Sequence, residues 1–130
     1  MSEKQHAAQN EKLSGPAVRQ LVFGAPKGQP TAPGGSDPFL GPFFDTAIEH
    51  VWGGVWNRPG LELKYRSLVV VSVLAASGYK EELKAHLRGA LNLGWTTDEL
   101  REALLQTAPY GSFSAANLAI QALSELVSNG

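Results

Sequence analysis

Apolar residues recur along most of this chain at the spacing of amphipathic helices. The first such stripe comprises Val18, Leu21 and Val22, and it lies between Ser14-Gly15-Pro16 and Gly24. Serine followed by an early proline is typical of a helix start, and glycine commonly ends a helix. The pattern therefore predicts a short first helix that ends at Gly24.

A second helix is predicted from Asp37-Pro38, because aspartate accepts hydrogen bonds from the first amides and proline suits the first turn. We expect it to end at Gly53-Gly54. Its apolar positions form one broad stripe on the helix surface, which comprises Phe39, Leu40, Phe43, Phe44, Ala47, Ile48, Val51 and Trp52.

The third predicted helix runs from Leu61 to Ser77 and stops at Gly78. Its centre, Leu68–Ala76, is apolar on every side, and the valines alone would permit a strand. Its length and the flanking helices favour a helix that is buried all round. A chain of 130 residues has few places to bury such a helix, so we expect a contact with another subunit.

Three more helices complete the prediction. One spans Glu81–Leu93 before Gly94, one begins at the capping box Thr96–Glu99 and stops at Pro109, and the last is capped by Ser114. No stretch alternates with a period of two for long enough to predict a strand. The sequence therefore predicts an all-α fold of about six helices.

Composition narrows the class of protein. Hydrophobic residues make up 43% of the chain and charged residues 18%, which is enough to form a packed core. We expect a polar tail over residues 1–14 and one domain over residues 15–130, with a Pro/Gly-rich connector at 24–36. The net charge is −1 without a basic cluster, which argues against nucleic acid as a partner.

The polar beginning of the chain does not resemble a signal peptide, and no apolar run reaches the roughly 20 residues that cross a bilayer. We therefore expect a cytoplasmic protein with no membrane partner. The chain has no cysteine, which excludes disulfides and thiol chemistry. No cluster has the spacing of metal ligands.

Five segments together resemble the carboxymuconolactone decarboxylase family, and within it the short 4-carboxymuconolactone decarboxylases. They stand in the family's order and spacing, and the similarity extends over roughly residues 15–127. The segments are VWGGVWNRPGL (51–61), RSL (66–68), EELKAHLRGAL (81–91), TTDELREALLQTA (96–108) and AAN (115–117).

The resemblance implies an all-α fold like that of alkyl hydroperoxidase D, no cofactor, a small-molecule substrate and a homo-oligomer, either a hexamer built as a trimer of dimers or a smaller assembly. The peroxidase branch of this superfamily uses two cysteines. Tyr79 and Glu82 occupy those positions here, so peroxidase activity is excluded. The chain also departs from the decarboxylases at Gly54, where they carry a carboxylate, and in the turn Gly111–Ser114.

The same resemblance indicates the catalytic residues. His86 matches the family histidine and would donate a proton, because histidine titrates near neutral pH. Glu82 lies one helical turn earlier and would orient the imidazole. From the residues alone, His86 is equally a packing histidine and Glu82 a solvated carboxylate.

The candidate substrate-binding residues are two arginines that could grip a carboxylate, two aromatic residues that could wall a pocket, and two polar residues that could contact an oxyanion. These are Arg66, Arg58, Trp52, Trp56, Tyr110 and Asn117. The alternatives are a turn residue for Arg58 and a core or interface position for each tryptophan.

The first functional hypothesis is a carboxy-lyase that decarboxylates a small lactone carboxylic acid such as 4-carboxymuconolactone, in the catabolism of aromatic compounds. The alternatives are a relative that performs another proton-transfer reaction, such as an isomerase of a biosynthetic pathway, and a non-catalytic oligomeric binding protein. The departures at Gly54 and in the turn Gly111–Ser114 keep these alternatives open.

Overall fold

A computed structural model describes residues 13–24 and 37–129, so residues 1–12 of the predicted tail and nearly all of the connector fall outside the described residues. Within them the chain forms helices and turns without strands, which confirms the all-α prediction. The second helix changes from α-helical to π-helical geometry midway. The elements are α1 Gly15–Phe23, α2 Leu40–Thr46 with the π-helical segment Ala47–Val55, α3 Leu63–Ser77, α4 Lys80–Asn92, α5 Thr97–Thr107 and α6 Phe113–Asn129.

The chain divides between Leu63 and Lys64 into two compact units. In the first unit, α1 packs against the π-helical segment. The start of α1 is as predicted, since the Ser14 hydroxyl accepts a hydrogen bond from the amide of Ala17 at 3.3 Å. Its end is also as predicted, at Gly24 with φ 83°.

The predicted end of the second helix at Gly53-Gly54 is wrong, because both glycines lie inside the π-helical segment. Gly53 serves instead for a close approach to α1. A Cβ atom on Gly15 would overlap the carbonyl oxygen of Ile48, and one on Gly53 would lie 3.2 Å from the same oxygen. The glycines here allow two backbones to touch rather than terminate a helix.

The apolar stripe of the second helix is only partly buried. Phe39 and Phe43 are 88% and 67% exposed, whereas Trp52 is 7% exposed. The helix begins at Leu40 rather than at the predicted Asp37-Pro38. Asp37 still contacts the amides at this end as predicted, since a carboxylate oxygen of Asp37 accepts hydrogen bonds from the amides of Phe39 and Leu40 at 2.8 and 3.3 Å.

The second unit contains a hydrophobic core to which α3, α4, α5 and α6 all contribute. Leucine, valine and alanine at helical spacing form one cluster of buried side chains, as the periodicity predicts. Its members are Val71, Leu74, Ala75, Leu83, Leu87, Ala90, Leu100, Leu104, Ala119, Ala122 and Leu123.

The helix α3 begins at Leu63, two residues after the predicted start, and ends before Gly78, whose φ is 77°. This chain by itself does not bury the helix all round, and burial of the rest by a second subunit stays a prediction. Val69 and Val73 are 56% and 57% exposed. The helix therefore turns one apolar face to the core and leaves another on the surface.

The last three helices agree with the sequence except at one cap. Thr96 and Glu99 form the predicted capping box, and Gly94 has φ 107° after the end of α4. Ser114 does not cap α6, because the helix already begins at Phe113. The hydroxyl of Ser112 accepts the hydrogen bond from the Ala115 amide instead, at 3.0 Å.

None of the helices in the described ranges is both long enough and apolar enough to cross a membrane.

Candidate functional site

His86 lies in the middle of α4, a helix whose leucine stripe packs into the core of the second unit. The acidic residues Glu81 and Glu82 in the first turn of α4 favour helix formation there, because they offset the positive end of the helix dipole. The His86 side chain is half-buried, and its Nδ1 atom is shielded from solvent. This imidazole is therefore held by the fold rather than displayed on the surface.

Glu82 shares the face of α4 that carries His86, one turn earlier, but its side chain is exposed. No ion pair joins its carboxylate to His86 among the residues that the structure describes. The orienting role of Glu82 stays a prediction.

The two candidate arginines lie in different units. Arg66 is half-buried in the first turn of α3, in the second unit. Arg58 is exposed in the turn that follows the π-helical segment of the first unit, and its amide donates a hydrogen bond to the carbonyl of Val55 at 3.2 Å.

Trp52 and Trp56 form an aromatic core in the first unit. They are 7% and 5% exposed, and their rings stack with centroids 4.7 Å apart at 20°. Phe23 of α1 meets Trp52 edge-on at 5.3 Å, and the Arg19 guanidinium lies 5.0 Å above the Phe23 ring. Burial lowers the pKa of Arg19. This packing supports the core interpretation of both tryptophans, and a role in walling a pocket stays a prediction.

Tyr110 is 86% exposed, at the mouth of a groove of about 410 Å³ between α3 and α5. The groove is lined mainly by small and apolar residues such as Leu68 and Ala103. Gly111 makes the close turn possible, since a Cβ atom there would lie 3.1 Å from that of Ala76. Asn117, the last candidate, is exposed near the start of α6.

Ser67 is a residue that the sequence analysis did not single out. It is 0% exposed, and its hydroxyl has no hydrogen-bond partner within the described ranges 13–24 and 37–129. The sequence does contain a sign of its burial, because Ser67 shares one face of the helix with the apolar residues Leu63, Val71 and Leu74.

A charged cluster at α4 and α6 was also missed. The carboxylate of Glu125 pairs with Lys80 at 2.9 Å and with Lys84 at 2.5 Å. Hydrogen bonds from these lysines lower the pKa of Glu125 to about 2, and the hydrogen bond with Glu125 raises the pKa of Lys84. The cluster joins the two helices electrostatically. In the described part of the chain no group of three His, Asp or Glu side chains is arranged to hold a metal.

Two curated relatives share sequence with this chain. A 4-carboxymuconolactone decarboxylase from Acinetobacter baylyi (strain ATCC 33305 / BD413 / ADP1) is 45% identical over 75 residues, which are 58% of this chain and 56% of that protein. The nitrosuccinic acid decarboxylase npaB from Metarhizium robertsii (strain ARSEF 23 / ATCC MYA-3075) is 44% identical over 73 residues, 56% of this chain and 51% of that protein. The chain thus spans about half the length of the curated relatives it matches.

The model of one protein family matches residues 42–125, well over half of the chain. The matched region includes the π-helical segment, the helix α4 with His86, and most of α6. This chain belongs to the carboxymuconolactone decarboxylase family.

Proposed function

We propose that this chain catalyses the cofactor-independent decarboxylation of a small carboxylic acid and that His86 supplies the proton. Family membership carries the proposal, together with the names of the two relatives, both of which are decarboxylases. The half-buried His86 on α4 supports it.

The chemistry needs a group that can accept the electrons of the breaking bond. In a lactone whose carboxylate lies γ to the carbonyl across a double bond, the bond to CO₂ breaks and its electron pair spreads to the carbonyl oxygen as a dienolate. A proton from the His86 imidazolium then adds at the α-carbon. A positioned acid of this kind contributes typically about 10²–10⁴-fold in rate, and histidine suits the task near neutral pH.

Substrate binding requires a partner for the acid's carboxylates. Arg66 is the best candidate among the charged residues, because a guanidinium can donate two parallel hydrogen bonds to a carboxylate. Half-burial in the first turn of α3 reduces the competition from water. The exposed Arg58, Tyr110 and Asn117 remain candidates for contacts at the edge of a site.

The decisive experiment incubates the purified chain with 4-carboxymuconolactone and follows both lactone absorbance and CO₂ release. His86→Ala should lower the rate by at least about a hundredfold, while the circular dichroism spectrum stays that of the native fold. His50→Ala is the matched control, because His50 is exposed at the surface and its nearest charged neighbour is Glu49 at 3.8 Å. Equal turnover by His86→Ala and wild type would refute the proton-donor role.

A second candidate substrate is nitrosuccinic acid, favoured by the name of the second relative. A nitro group can also take up the electron pair left by CO₂, so the demand for a proton donor is the same. Position 54 offers a discriminating variant, because Gly54 is exposed and a Cβ atom there meets only the carbonyl oxygen of Glu49, at 3.8 Å. Gly54→Glu should therefore fold, and if position 54 governs the choice of acid, it should raise the rate with the lactone relative to nitrosuccinic acid. An unchanged ratio of the two rates would show that position 54 does not govern the choice of substrate.

The alternative of a non-catalytic binding protein makes a different prediction in the same experiments. A binder would show a rise in melting temperature with the acid, because a ligand that binds only the folded state stabilises it, but no CO₂ release. Turnover of either acid by wild type excludes this alternative.

We also propose that the chain assembles into a homo-oligomer through the exposed apolar face of α3. No charged residue occurs between Leu68 and Ala76, and Val69 and Val73 are more than half exposed. An uncharged surface of this kind is typical of an interaction site. Val73→Glu should reduce the mass measured by light scattering after size exclusion, and Ser124→Glu, at an exposed position of α6, should not. A monomeric wild type would refute this proposal.

A further inference from the structure

The hydroxyl of Ser67 is buried in a helix that offers it a hydrogen-bond partner, yet it bonds to none of the residues 13–24 and 37–129. A serine inside a helix can donate to the carbonyl four residues earlier, and Ser72 on the same helix does so, to the carbonyl of Leu68 at 2.8 Å. Ser67 is 0% exposed and bonds to none of the described residues. A buried polar group without a partner is costly, so a native protein rarely keeps one without a role.

The residues that precede Ser67 in α3 give the start of the helix a positive charge. The first turn of α3 carries Lys64 and Arg66 and no acidic residue. The amino end of a helix also carries a partial positive charge that attracts anions. Lys64 lies 4.4 Å from the centroid of the Trp95 ring, and Arg66 is the cation next to Ser67 in sequence.

Ser67 and His86 each lie next to a member of the same hydrophobic core. Ser67 lies one turn before Val71 on α3, and His86 directly precedes Leu87 on α4. Val71 and Leu87 are members of one cluster of buried side chains. Because an α-helix rises 1.5 Å per residue, each of the two polar residues lies within about one turn of that shared cluster.

We propose that Ser67 is a substrate-contacting residue whose hydroxyl donates a hydrogen bond to an anionic oxygen of the small carboxylic acid. This inference rests on the proposed function for the identity of the ligand. The burial of Ser67 and its missing partner are independent of it. The hydroxyl supplies a donor of fixed position, and Arg66 supplies the positive charge in the same stretch of helix.

The test compares Ser67→Ala with wild type and with Ser77→Ala, a serine at the exposed end of the same helix. Ser67→Ala should melt no lower than wild type, because the deleted hydroxyl has no partner to lose. Its kcat/KM for 4-carboxymuconolactone should fall about tenfold to a hundredfold, which corresponds to a hydrogen bond with a charged group. Ser77→Ala should match wild type in both measurements.

Two outcomes separate this proposal from the proposed decarboxylation. If wild type releases CO₂ and Ser67→Ala keeps full kcat/KM, the role of Ser67 is refuted and decarboxylation stands. If wild type releases no CO₂ but the lactone acid raises the melting temperature of wild type and Ser77→Ala more than that of Ser67→Ala, Ser67 contacts the ligand and decarboxylation is refuted.

A crystal structure with the acid bound gives a direct check. The proposal requires a ligand oxygen at hydrogen-bond distance from Oγ of Ser67, and a hydroxyl that donates to the carbonyl of Leu63 overturns it.

Discussion

Gly15 permits a close backbone contact in the first unit, and its substitution by alanine should disturb that contact more than alanine at Gly53 or Gly54 does. A Cβ atom on Gly15 would overlap the carbonyl oxygen of Ile48 and lie 3.1 Å from the amide nitrogen of Gly53. Both obstacles are backbone atoms, which cannot rotate away as a flexible side chain would. The start of α1 must therefore move away from the π-helical segment.

The expected loss of folding free energy can be taken from substitutions that overpack a core. Inserted methyl groups that force backbone shifts typically cost about 1–3 kcal/mol, occasionally more. We expect Gly15→Ala to lower the free energy of unfolding by about 3 kcal/mol, at the upper end of that range, and the melting temperature by roughly 10 °C.

Two further glycines make a graded series for the assay. A Cβ atom on Gly53 lies 3.2 Å from the carbonyl oxygen of Ile48, so Gly53→Ala should cost less than Gly15→Ala. Gly54→Ala meets only an ordinary contact at 3.8 Å, and replacing an exposed helical glycine should stabilise by about 0.5–1 kcal/mol. Urea unfolding followed by tryptophan fluorescence reports mainly on this unit, because Trp52 and Trp56 lie in it and Trp95 alone lies in the second unit. A value for Gly15→Ala within about 0.5 kcal/mol of wild type, the range of ordinary surface changes, would refute the reasoning.

Three other predictions concern the second unit. Leu87→Ala should cost about 2–5 kcal/mol, because Leu87 is 0% exposed in the core, whereas Leu105→Ala, at a half-exposed site, should stay within about 0.5 kcal/mol in urea unfolding. Thr96→Ala should cost about 1 kcal/mol through the loss of its side of the capping box, and a cost near zero would show that the box is not formed in solution. Glu125→Gln should lower the melting temperature at neutral pH. Because the folded pKa of Glu125 is lowered from 4.5 to about 2, its ionised form stabilises wild type above pH 4.5, and this contribution is lost as the pH falls toward 2. Between neutral pH and pH 2, the melting temperature of the variant should therefore fall less than that of wild type. Identical profiles of melting temperature against pH would contradict the pairing of Glu125 with the two lysines.

The helix ends were predictable because their signals are local. The Ser14 cap, the capping box at Thr96 and the glycine stops at Gly78 and Gly94 each depend on residues within one turn of the helix end. Such interactions form whatever the rest of the chain does. The cap of α6 is the exception, since two serines flank its start. The helix takes Ser112, in the turn where Gly111 packs against Ala76.

The π-helical segment was not predictable for the opposite reason. Gly53 and Gly54 have the composition of a helix stop, and only the approach of Gly15, remote in the sequence, explains why Gly53 lies inside a helix. A contact between distant backbones leaves no local pattern. The same limit applies to α3, where apolar residues on every side hide which face is buried, and Val73 proves to be exposed.

The candidate site shows the same division between local and non-local information. The family motif placed His86 on a helix, and the structure adds that its Nδ1 is shielded from solvent. The helical pattern could not show which of Ser67 and Ser72 finds a hydrogen-bond partner, because both are serines in the same apolar helix. Their different hydrogen bonding depends on packing and appears only in the folded chain.

Three glycines of the first unit, Gly15, Gly53 and Gly54, separate structural from functional constraints in this family member. Gly15 and Gly53 are required by a backbone contact, so a side chain at either position acts on the fold first. A Cβ atom on Gly54 would make only an ordinary contact, at 3.8 Å from the carbonyl oxygen of Glu49, and no contact of the described residues requires glycine there. The absence of a side chain at position 54 therefore does not serve packing. Any effect of Gly54→Glu on turnover, measured beside its effect on melting temperature, can then be assigned to the choice of substrate rather than to a damaged fold.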